Sequence, residues 1–175
     1  MKTQSTAEAK FGPDSRSVEE WMTAAKEQLP QYGDGFAIPK DSGEKTALAR
    51  CITSIFSKLT DQEVVIYIAE WGVWPSSENR EVFDAYRLAK GERKRLEDAP
   101  IHRFNSFADP SFLGILCLLL YFFWDAEVFD TGSKCNISLS HDEWLEIRTD
   151  DRSIREICDL AVETQQLRPI AGAPK

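Results

Sequence analysis

Apolar residues recur along the chain with two periods, and the switches between them mark out the elements. In "SVEEWMTAAKEQLP", Val18, Trp21, Met22, Ala25 and Leu29 repeat at helical spacing. Ser17 and Glu20 stand three apart as in a capping box, and Pro30 lies at the stop. "QYGDGFAIPKDSG" breaks the pattern with glycine, proline and aspartate and reads as a connection. A second helix, about 44 to 59, puts Leu48, Ile52, Ile55, Phe56 and Leu59 on one stripe.

"EVVIYIAEW" is apolar from Val64 to Ala69, as expected of a strand covered on both faces. A loop, "WGVWPSSEN", leads to a helix at about 77 to 90 bearing Val82, Phe83, Tyr86 and Ala89. "FLGILCLLLYFFW", Phe112 to Trp124, is too short to span a bilayer, which takes roughly 18 apolar residues or more. With Asp109 as cap and Pro110 at the first turn, it predicts a core helix covered on all sides. "AEVFDTGSKCNISL" predicts two strands joined at Thr131–Gly132, and "WLEI" is a candidate third. The last helix is expected to open with a capping box, Ser153 to Glu156.

These elements predict an α/β or α+β fold: a small mixed sheet of three to four strands, covered by about five helices, in one domain over residues 16–167. Residues 1–15 and 168–175 are expected to be flexible.

Composition narrows the function. The net charge is −8, which disfavours nucleic acid as a partner because phosphate neutralisation needs a clustered positive surface. From Asp125 to Glu163, eleven acidic residues face four basic ones, so most of the excess lies in the last third. Cys51, Cys117, Cys135 and Cys158 form no C-x-x-C pair, and "MKTQSTAEAKFGPDSR" has no apolar leader core. A reducing cytoplasm is the expected compartment, with no membrane partner and no cofactor.

Four stretches carry candidate chemistry. In "SHDE", Ser140 and Glu143 have capping-box spacing; on an extended backbone, His141 and Glu143 would share one face and Asp142 take the other. His102 is the only other imidazole, and no H-E-x-x-H or nucleophile motif is present. A metal-dependent hydrolase using His102, His141 and a carboxylate is therefore the rival expectation from the enzyme class. In "EWGVWPSSEN", Trp71, Trp74, Ser76 and Ser77 occupy a strand-to-helix loop, where a structural or small-ligand module would bind. "KGERKRLED" reads as a solvated helix end, its cations suiting the C-terminal dipole. In the acidic last third, carboxylates alternate with Trp124, Phe129 and Trp144, a combination that steers and anchors a cationic protein.

"EWGVWPSSEN", "APIHRF" and "WDAEVFDTGSKCNISLSHDEWLEI", across roughly residues 63–148, resemble small acidic bacterial proteins of toxin-immunity type. The resemblance implies a bacterial binding protein and carries over no catalytic residue. The leading expectation is a non-enzymatic immunity or inhibitor protein that occludes a basic partner, such as a cognate toxin. Asp125, Glu127, Asp142, Glu143, Trp144 and Glu146 are the expected contacts, with no metal ligands among them.

Overall fold

A computed structural model describes residues 20, 22, 23, 26–59, 63–70, 77–105 and 109–170. Six strands form one sheet: β1 (Gln31–Ala37), β2 (Val64–Glu70), β3 (Ile101–Phe104), β4 (Asp125–Asp130), β5 (Cys135–Leu139) and β6 (Trp144–Thr149). Their order is β1-β6-β5-β4-β2-β3, and every pairing is antiparallel. The helices are α1 (Ser42–Phe56), α2 (Ser77–Ala89), α3 (Pro110–Phe122) and α4 (Arg152–Glu163). Residues 20, 22, 23 and 26–28 are also helical. No helix among the described residues is long and apolar enough to cross a membrane.

The fold is α+β, and the expected mixed sheet of three to four strands is corrected to six antiparallel ones. The two unforeseen strands are the sheet edges. β1 contains Gly33 and Gly35, both at positive φ, and its register against β6 shifts between Tyr32 and Phe36. This bulge hides the alternation that marks a regular strand. β3 is only four residues long. The far end of the chain lines β1: Ala37 N donates to Arg168 O at 2.9 Å, and Ile170 N to Gly35 O at 3.1 Å. The sequence placed those residues in a tail.

Alternation divides the sheet into two unlike faces. Val64, Ile66, Ile68, Val128, Ile137 and Ile147 join the main core, with Leu48 and Ile52 from α1, Leu116 and Leu119 from α3, and Ile154 and Cys158 from α4. On the opposite face Val65, Ile101 and Phe129 form a small second cluster with Met22 and Tyr67. β2 is thus covered on both sides, as its apolar run required. The rest of that second face is polar, and it carries the candidate site.

Helix starts follow carboxylate caps. Asp109 Oδ1 accepts from Ser111 N at 2.8 Å, with Pro110 in the first turn, as expected. α4 starts earlier than the capping box predicted: Asp151 Oδ1 accepts from Ser153 N (2.8 Å) and Ile154 N (3.3 Å). Glu156 pairs instead with Arg152. α3 is only partly enclosed, since Leu113, Cys117 and Leu118 are half-buried and Tyr121 is exposed. The cations of "KGERKRLED", Lys90, Arg93, Lys94 and Arg95, are exposed, as the solvated reading expects, and the buried cation lies just before them. Arg87 is buried, and its Nη2 donates to Ala99 O at 2.9 Å.

Candidate functional site

The polar face of the sheet holds a depression of about 430 Å³, lined by residues that include Lys26, Glu127, Ser138, Trp144, Glu146 and Arg148. Alternation along β4, β5 and β6 puts Glu127, Asn136, Ser138, Glu146 and Arg148 on one face as neighbours. The floor of the depression is Glu127, only 7% exposed. Glu127 Oε2 accepts from Asn136 Nδ2 at 2.9 Å and Ser138 Oγ at 2.7 Å, while Oε1 pairs with Lys26 Nζ at 2.8 Å. A buried carboxylate is tolerated because donors surround it. Glu146 is paired with Arg148. Arg148 Nη1 also donates to the carbonyl oxygens of Lys26 (3.0 Å) and Leu29 (3.4 Å), strapping the helical residues 26–28 to this face. Trp144, at 36% exposure, forms part of the rim.

At one end of the depression three elements meet. Glu70, the last residue of β2, pairs with Asp125, the first of β4, across a register shift. The β5–β6 loop folds His141 onto the same carboxylate. His141 N donates to Asp125 Oδ1 at 2.6 Å, and Nδ1 lies 2.8 Å from Oδ2. Hydrogen bonding to Asp125, reinforced by its charge, raises the His141 pKa above the ordinary histidine value.

"SHDE" is therefore the tip of a hairpin, and the capping-box reading is corrected. Ser140 N donates to Trp144 O (2.9 Å) and Glu143 N to Ser140 O (3.2 Å), while Ser140 Oγ accepts from Asp142 N (3.2 Å). Glu143 closes the loop at φ +66°, the left-handed position of a three-residue hairpin turn. Asp142 is exposed, and Glu143 lies 3.6 Å from Lys40.

Asp125, Glu127, Trp144 and Glu146 thus line one depression, with Asp142 and Glu143 on the adjoining hairpin tip. All five of these carboxylates lie within ion-pairing distance of a partner in the chain, so the face mixes both signs. Of the three interleaved aromatics, only Trp144 surfaces. Trp124 packs on Phe83 (centroids 5.1 Å apart), and Phe129 belongs to the second cluster. Trp71, Trp74 and Ser76 lie outside the described residues; Ser77 begins α2, its side chain likewise outside them.

His102 does not join His141 in a site. It is 0% exposed on the core face of β3, its ring edge-on to Phe83 at 5.9 Å. Desolvation, aided by the Arg87 charge, lowers its pKa to about 3. The rival reading, which joined the two histidines around a metal, does not hold, because His102 is enclosed in the core. Glu70, Lys26, Ser138 and Arg148 were missed. The alternating polar residues of β5 and β6 were a visible signal for the last two, whereas Glu70 joins the site only through strand order.

No family model, curated protein or solved structure matches the chain.

Proposed function

We propose that the chain is a non-catalytic binding protein of immunity or inhibitor type, acting in the cytoplasm by occluding a basic protein partner. One observation carries this reading: four of the six expected contact residues line a single depression on the face that the four helices leave open. Trp144 offers an aromatic anchor on its rim, and anchors of this type dominate interface energetics. The exposed hairpin tip adds Asp142 and Glu143 as steering charges beside it. Glu127 and Glu146 contribute differently. Already paired with Lys26 and Arg148, they hold the face in shape.

The partner is to be captured from a lysate of the source bacterium with immobilised wild-type protein, identified, and purified for kinetics. Trp144→Ala should weaken the complex by about 2 kcal/mol or more, mainly by faster dissociation. Replacing Asp142 and Glu143 together by alanine should slow association and flatten its salt dependence. A purified partner that binds all these variants with wild-type kinetics would remove this face as the recognition surface.

A further inference from the structure

We propose that Glu70, Asp125 and His141 form a binding site for one first-row divalent cation, with zinc favoured. This site does not depend on the immunity reading and needs no partner protein. One nitrogen and two carboxylate oxygens lie within 4.8 Å of one another. They come from three separate chain segments, the end of β2, the start of β4 and the β5–β6 loop, brought together by the order β5-β4-β2. A tetrahedral cation with bonds of about 2.0–2.2 Å sets neighbouring ligand atoms about 3.3–3.6 Å apart. His141 Nδ1 and Asp125 Oδ2, at 2.8 Å, need open by only about 0.5–0.8 Å to reach that separation. Closing the site then requires mainly a rotation of Glu70, which is exposed and enters no salt bridge among the described residues.

The donor set selects the metal class. An imidazole beside two carboxylates suits zinc, manganese or ferrous iron better than calcium or magnesium, which prefer oxygen alone. Among manganese, ferrous iron and zinc, the general affinity order puts zinc last and tightest. His141 is pre-oriented, because its own backbone amide is fixed on Asp125 at 2.6 Å. Binding at Nδ1 displaces the proton that faces Oδ2: an imidazolium releases it to solvent, and a neutral ring carries its one proton on Nε2, beside Asp142. Asp142 Oδ1, 3.6 Å from His141 Nε2, adds negative charge at the margin. Three protein ligands leave coordination positions open to water, as in an exchangeable rather than a closed structural site.

The test is calorimetric titration of tag-free, chelator-treated protein with zinc chloride, in a Cys117→Ser background so that the one half-buried thiol cannot contribute. The expected result is one zinc per chain. Glu70→Gln and His141→Gln should each lower affinity at least about tenfold. Glu70→Gln keeps the test decisive if His141→Gln loosens the hairpin, since the Glu70 side chain holds no hydrogen bond or ion pair among the described residues and circular dichroism verifies folding. Manganese should bind the same site more weakly. Absence of stoichiometric zinc in the parent protein, or an unchanged affinity in folded Glu70→Gln, overturns the site. Neither result bears on whether Trp144 contacts a protein partner.

Discussion

Replacing Glu127 by alanine tests whether the floor of the depression is a structural element. The side chain is almost wholly buried and accepts from Asn136, itself 0% exposed, and from buried Ser138. Truncation removes two charge-assisted hydrogen bonds, each worth roughly 1.5–3 kcal/mol, and leaves both donors unsatisfied. The ion pair to Lys26 adds less than about 1 kcal/mol, because that lysine is half-exposed and screened. A destabilisation of about 3–4 kcal/mol is expected, within the usual range for breaking a buried charge network. With a urea slope of about 2 kcal/mol per molar, the unfolding midpoint should fall by roughly 1.5–2 M. Glu127→Gln keeps an acceptor oxygen for Asn136 and Ser138 and should cost about half as much. A midpoint shift below about 0.5 M for Glu127→Ala, with the slope unchanged, would refute the structural assignment of this carboxylate.

Two further perturbations address the frame around the site. His102 stays neutral in the native core down to about pH 3, whereas the unfolded chain takes up its proton near 6.5. Between those values the unfolded state binds more protons, so this residue's contribution falls as pH falls, by about 2 kcal/mol between pH 7.5 and pH 5. His102→Gln should flatten that part of the acid stability slope in denaturant titrations, and identical slopes would contradict the assignment. Asp151→Ala removes the acceptor for Ser153 N and Ile154 N at the start of α4 and should cost about 1 kcal/mol, read as a lowered thermal midpoint. No change would mean that water caps this helix equally well.

What could be read from sequence was the local part of the fold. The β2 run, the Thr131–Gly132 hairpin and the Asp109–Pro110 helix start are written in adjacent residues, and all three are present. Both edge strands escaped notice, one broken by a glycine bulge and the other too short to show a period. The site divides in the same way. Trp144, Glu146 and Arg148 alternate along β6, so their shared face was visible once the strand was assigned. That Glu70 meets Asp125, and that Asp125 holds His141, follows from β4 lying between β2 and β5, a long-range fact no short motif encodes. His102 misled for the converse reason. Its residue type signalled chemistry, while its position in β3 turned it into the core.

Hydrogen–deuterium exchange on the complex with the captured partner tests the central claim most directly. The acidic residues of the last third include two separate groups, those of β4 and the β5–β6 hairpin around the depression and Glu156, Asp159 and Glu163 on helix α4. Protection on binding should concentrate in residues 125–130 and 138–148 and leave 152–163 unchanged. Protection confined to α4, with the hairpin exchanging as in the free protein, would contradict recognition through the open sheet face.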